Sequence, residues 1–133
     1  MTVVADASVL VAMLVDSGRT GTWAESVVAD APLVGPELAL IETTNVLRRL
    51  ERSSEISRLE ATSAFRDLLR LEIFLYPLAP LADRIWELRS NLTSYDAWYV
   101  ALAEALGCPL LTLDAKLGRA SGPRCEIVMP PRP

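Results

Sequence analysis

Apolar residues along the chain fall into two alternating kinds of run. Short, nearly continuous stretches predict strands at residues 2–5, 32–35, 72–76, 110–113 and 126–129, and longer stretches with helical spacing lie between them. Residues 8–15 read as a mostly buried helix broken by Asp16-Ser17-Gly18, and residues 22–29 as a second, shorter one. Pro36 and Glu37 open a third helix, because proline is tolerated in a first turn and a negative charge there suits the helix dipole. It runs to about Arg52, and its predicted inward side chains are Leu38, Ile41, Val46 and Leu50. Ser57 and Glu60 have capping-box spacing ahead of a helix in which Ala61, Ala64, Phe65 and Leu68 recur at i, i+3, i+4 and i+7. Leu78, Leu81, Ala82 and Ile85 form the apolar stripe of the next helix. Thr93 begins the last long one, which runs through Leu106 and ends at Gly107 and Pro109.

Strands alternating with helices in this way predict an α/β fold around a parallel sheet. No linker, repeat or low-complexity stretch divides the pattern, so residues 1–129 are expected to form one domain, with 130–133 (Pro-Pro-Arg-Pro) as a tail. The first eighteen residues are apolar but have no basic segment and are interrupted by Asp6 and Asp16. They are expected to be neither a signal peptide nor a membrane span, and the expected location is the cytoplasm.

Composition narrows the chemistry. The chain has 133 residues, 51% of them hydrophobic, and no histidine. That absence removes Ser-His-Asp and Cys-His hydrolases, histidine-pair nucleases and most catalytic zinc sites, all of which need an imidazole. Cys108 and Cys125 form no C-x-x-C pair and are expected as two buried thiols. With 13 basic and 17 acidic residues the formal charge is −4, which does not suit a general nucleic-acid coat protein. Any contact with RNA or DNA would have to be local or assisted by a cation. All the bases but Lys116 are arginine. Arg48, Arg49, Arg52, Arg66, Arg70, Arg84 and Arg89 fall on predicted helices, where solvated faces and i,i+4 pairs account for most of them.

The acids are the informative residues. Asp6 and Asp114 each follow an apolar strand, and in a parallel sheet the ligand crevice lies beyond the carboxyl ends of the strands, where strand order reverses. Aspartate in that position is also a common helix N-cap. Glu42 lies within a helix among apolar neighbours, with Asn45 and Arg49 on its side at i+3 and i+7; Asp96 lies at a helix start. Charges in helices usually face water, but if the four converge they need a cation, since like charges raise one another's pKa. Oxygen ligands without His or Cys select Mg²⁺ or Mn²⁺, and such ions assist phosphodiester hydrolysis.

Four segments carry a family resemblance: Val3-Val4-Ala5-Asp6-Ala7-Ser8, the helical Glu42-Thr43-Thr44-Asn45-Val46-Leu47-Arg48-Arg49, Leu92 to Glu104 with its Tyr95-Asp96-Ala97-Trp98-Tyr99-Val100-Ala101 core, and Leu111-Thr112-Leu113-Asp114. In order and spacing they resemble the motifs of PIN-domain ribonucleases, above all VapC-type toxins of toxin–antitoxin pairs. The resemblance implies a three-layer α/β/α sandwich with a central, mostly parallel five-stranded sheet. It also implies a Mg²⁺-dependent endoribonuclease site (Mn²⁺ as substitute) made of Asp6, Glu42, Asp96 and Asp114. Thr112 would support that site by hydrogen bonding, with Asn45 and Ser8 as weaker supporting candidates. Expected partners are RNA, a cognate VapB-type antitoxin and a second copy of the chain, with higher-order assembly on the antitoxin and no membrane. Arg49 is a candidate phosphate contact, whereas Trp98 and Tyr99 are expected in core or dimer packing.

Three other readings are weighed against this one. A phosphoacceptor receiver domain would want paired acids after the first strand and a Lys after the last, yet Asp6 stands alone and Lys116 falls in a helix. A dehalogenase-type phosphatase would need Asp-x-Asp where this chain has Asp6-Ala7-Ser8. A catalytically silent PIN-fold binding module is the remaining alternative, and the intact acids argue against it.

Overall fold

The computed structural model describes residues 2–133. Strands β1 (Val3–Ala5), β2 (Leu33–Pro36), β3 (Ile73–Tyr76), β4 (Leu110–Leu111) and β5 (Ile127–Val128) form one sheet in the order β3-β2-β1-β4-β5. Every pairing is parallel, so the sheet is wholly rather than mostly parallel. The helices are α1 (Ala7–Val15), α2 (Arg19–Ala29), α3 (Ala39–Arg52), α4 (Arg58–Arg70), α5 (Ala82–Glu87), α6 (Ser94–Leu106) and α7 (Ala115–Arg119).

Alternation along the strands builds the three layers. Val4, Val34 and Leu110 point to the face covered by α5 and α6, packing with Ile85, Val100 and Leu102. Val3, Ala5, Leu33 and Leu111 point to the opposite face, against Val9, Leu10 and Ala24 of α1 and α2. A third cluster, with Val11, Leu47 and Ala64, joins α1 to α3 and α4. The chain proceeds outward from β1 to β2 and β3, then returns through α6 to β4 on the other side of β1. The topological switch point is therefore β1/β4, with Val4 opposite Leu110 and Ala5 opposite Leu111. This order differs from the 2-1-3-4-5 of receiver-like sheets.

Local chemistry explains most element ends. Ser57 caps α4 in a reciprocal box: its hydroxyl accepts from Glu60 N at 3.0 Å while its own N–H donates to Glu60 Oε1 at 2.9 Å. Gly107 closes α6 in the left-handed region at φ 62°, as its position predicted. The second helix begins at Arg19, earlier than expected, because Asp16 Oδ1 accepts from Gly18 N at 2.7 Å and turns the chain directly into it. Gly21 is buried where α2 crosses the end of α1, and a Cβ there would stand 1.7 Å from the backbone oxygen of Asp16. Gly21→Ala is thus expected to destabilise the protein by about 3 kcal/mol, lowering the melting temperature by roughly 10 °C in a thermal scan. An unchanged midpoint would show that α2 shifts freely.

Three apolar stripes differ from expectation. The inward side of α3 is Ala39, Thr43 and Leu47, whereas Ile41 is 64% exposed and Leu38, Val46 and Leu50 are only half-buried. The reason is close approach: small Ala39 packs into the same cluster as Val34 of β2, which turns position 41 to the far side of the helix. On α4, Phe65 remains partly exposed while Ala61, Ala64 and Leu68 are buried. Leu78 is exposed because residues 79–81 form a 3₁₀ turn around Pro80, and α5 proper begins only at Ala82. Cys108 is buried as expected; Cys125 is half-buried, and burial pushes its thiol up to about 11. No helix among the described residues is long and apolar enough to cross a membrane.

Candidate active site

Asp6 occupies the switch point. It follows β1, its N–H donates to Leu111 O at 3.1 Å, and it is 6% exposed. It is also the N-cap of α1, with Oδ1 accepting from Val9 N at 3.3 Å. The capping role and the site position therefore coexist in one side chain.

Both carboxylate oxygens of Asp6 are held by hydroxyls that are themselves tied to the chain after β4. Ser8 Oγ donates to Oδ1 at 2.5 Å and accepts from Leu113 N at 3.0 Å. Thr112 Oγ1, fully buried, donates to Oδ2 at 2.5 Å and accepts from Asp114 N at 3.0 Å. Each hydroxyl thus spends its single proton on Asp6 and a lone pair on the loop. These two bridges fix the Asp114 backbone against β1. Asp114 itself is exposed and caps α7, its Oδ1 accepting from Lys116 N at 2.8 Å.

The other two acids come from helices. Asp96 lies in the first turn of α6, where its N–H donates to the capping Thr93 Oγ1 at 3.2 Å. Glu42 projects from α3, and its Oε1 accepts from the hydroxyl of Tyr99 at 3.0 Å. Tyr99 is in the core, as expected, at 1% exposure. Sequence alone does not give its link to Glu42, although Tyr99 lies three residues after Asp96, a spacing that puts both on one side of α6. Trp98 is half-buried, with its indole nitrogen enclosed and unpartnered among the described residues.

Charge unites the four positions. Burial raises the pKa of Asp6 against the hydrogen bonds that lower it. Burial also raises Glu42, and the charges of Asp6 and Asp96 add to this; Arg49 opposes. Asp96 is raised by burial and then by Asp6 and Asp114. Among the described residues none of the four forms an ion pair. Nor does any group of three acids or thiols stand close enough to hold a metal ion as the side chains lie. The cluster is thus an open set of repelling carboxylates.

The remaining candidates sit at its margin. Asn45 is exposed and makes no hydrogen bond to the acids among the described residues; Arg49 is exposed but near enough to Glu42 to offset its charge. Arg84 departs from the solvated role expected of it. Its side chain is 20% exposed and grips Glu104, Nε to Oε1 at 2.7 Å and Nη2 to Oε2 at 3.1 Å, while Nη2 also donates to Gly122 O. Glu104 also accepts from Arg124 N, so this pair fastens α5 and α6 to the chain leading into β5. Against a burial that raises it, these contacts hold the Glu104 carboxyl below its ordinary value.

Comparison with known proteins adds to this geometry. The family model described as PIN domain matches residues 3–123. The chain belongs to the PIN-domain family. Ribonuclease VapC9 of Mycobacterium tuberculosis is 38% identical to this PIN domain over 130 residues, which cover 98% of this chain and 99% of that protein. Within the family, then, the chain is of the VapC ribonuclease kind. Among solved structures, PAE2754 from Pyrobaculum aerophilum aligns with a TM-score of 0.72 at 23% identity, over 96% of this chain and 83% of that one. VapBC2 from Rickettsia felis, bound to a promoter DNA fragment, aligns with a TM-score of 0.68 at 14% identity, over 97% and 98%. At these identities the structures speak for a shared fold.

Proposed function

We propose that this PIN domain is a divalent-cation-dependent endoribonuclease and the toxin of a toxin–antitoxin pair, with Asp6, Glu42, Asp96 and Asp114 as its cation-binding and catalytic acids. The observation that carries the reading is the state of Asp6. A buried carboxylate at the switch point has both oxygens fixed by hydroxyls, and its charge adds to the burial that raises two further acids, yet among the described residues no cationic side chain pairs with it. Such a set fits a hard cation: its donors are all carboxylate oxygens, and an ion would relieve the repulsion and burial that now disfavour their ionised forms.

The cation, when bound, supplies Lewis acidity for activating water and for neutralising charge that develops on phosphate oxygens. The chain's own residues do the rest. Ser8 and Thr112 orient Asp6 and lock the loop bearing Asp114 to it, so the two acids approach a substrate as one rigid edge. Asp96 adds its carboxylate from α6 and Glu42 from α3, closing the other sides. Arg49, two turns beyond Glu42, is placed to meet a phosphate flanking the bond to be cut.

Exposed apolar side chains support the partner assignment. Ile41, Leu59, Leu69, Phe74, Trp86 and Tyr95 are exposed apolar side chains that a second copy or a VapB-type antitoxin could cover. Purified protein is expected to cut RNA with Mg²⁺ or Mn²⁺, to stop with chelator, and to be silenced by its antitoxin. Cleavage that persists in chelator would refute the cation role.

A further inference from the structure

Glu42 reaches the acidic cluster from α3 on a long, half-buried side chain. Its half-buried carboxylate is repelled by the charges of Asp6 and Asp96, while the exposed Arg49, two turns along the same side of α3, attracts it. A half-buried glutamate under those forces would swing toward water and Arg49. One polar contact opposes this: the Tyr99 hydroxyl, donating to Oε1 at 3.0 Å from a ring locked in the core beside Val100 and Leu102. Tyr99 rides on α6, the helix that also carries Asp96, so the contact fixes the separation between the acids of two helices.

We propose that Tyr99 is a positioning residue: by holding Oε1 of Glu42, it keeps this carboxylate turned into the acidic cluster with Oε2 free, and thereby sets the affinity of the cluster for a divalent cation. The inference rests on the four-acid site proposed above. Its physical basis is the general dependence of metal sites on the groups that orient their ligands.

The test is Mn²⁺ binding to the full chain, followed by the electron paramagnetic resonance of free ion, alongside thermal melting in chelator. Tyr99→Phe removes one oxygen and keeps the ring. It is expected to weaken Mn²⁺ binding about tenfold or more. In a Glu42→Gln background the same change is expected to have no further effect, a non-additivity that loss of core packing would not produce. Glu42→Asp, which keeps the charge but withdraws it from the hydroxyl, should mimic Tyr99→Phe. Asp6→Asn serves as the control for the site itself. If Asp6→Asn loses Mn²⁺ while Tyr99→Phe binds it as tightly as the parent, the site stands and the role of Tyr99 falls. Equal losses in both backgrounds would likewise overturn it. If the parent chain binds no Mn²⁺, both the site and the positioning role are wrong.

Discussion

Asp6→Asn is expected to lower RNA cleavage on the order of 10³-fold or more while leaving a protein that folds. The loss follows from position. Asp6 is the acid whose charge reaches both Glu42 and Asp96, and its removal takes away the centre of the set that would hold the cation. A cation contributes several kcal/mol to charge stabilisation in phosphoryl chemistry, and each ~1.4 kcal/mol is tenfold in rate. Folding survives because asparagine is as good an N-cap as aspartate, so its Oδ1 still accepts from Val9 N and the Ser8 hydroxyl. The cost falls at Thr112. Its hydroxyl would face an amide donor where it now faces a carboxylate oxygen, leaving its own proton unpartnered for about 1 kcal/mol. Release of a buried charge offsets part of that. Single-turnover cleavage with Mn²⁺ and a melting curve are the measurements, and activity within tenfold of the parent would sink the assignment.

The contrast between Asp6 and Glu42 shows what can be read from a linear chain. Asp6 and Asp114 were recognisable because each ends an apolar run, a local signal, and the bridging roles of Ser8 and Thr112 lie within two residues of those acids. The adjacency of β1 and β4 was a condition that no local pattern supplies, because the two strands are more than a hundred residues apart and pair only through the sheet. Tyr99 is legible as core or dimer packing but not as a partner of Glu42, for the same reason: the contact spans 57 positions. The error on α3 is of another kind. Periodicity weighs Ile41 over Ala39, yet in a tightly packed layer the small residue marks the contact and the large one is left outside.

At neutral pH, saturating Mg²⁺ or Mn²⁺ is expected to raise the melting temperature, and Asp96→Asn to reproduce part of that gain without any cation. Asp6, Glu42 and Asp96 all have folded pKa values above their unfolded ones. The stability these groups contribute is therefore fully present below pH ~4 and is lost as pH rises through their raised values. In chelator these three acids make stability fall from the acid side toward neutrality, the reverse of the contribution from the salt-bridged Glu104. A cation at a hundred times its Kd would stabilise the native state by ~2.7 kcal/mol, roughly 8 °C for a domain of this size, and release protons as it binds. Asp96→Asn removes one half-buried charge that burial and then Asp6 and Asp114 disfavour, a gain set against the ~0.5 kcal/mol a carboxylate brings to a helix's first turn. The variant should melt higher than the parent in chelator at pH 7, show a flatter pH slope, gain less from Mn²⁺, and cleave RNA at least ~10²-fold more slowly. Melting scans from pH 4.5 to 8, with and without Mn²⁺, test all of this together. A parent protein whose stability in chelator falls no more steeply toward pH 7 than that of Asp96→Asn would mean that this acid is satisfied within the fold and has no need of a cation.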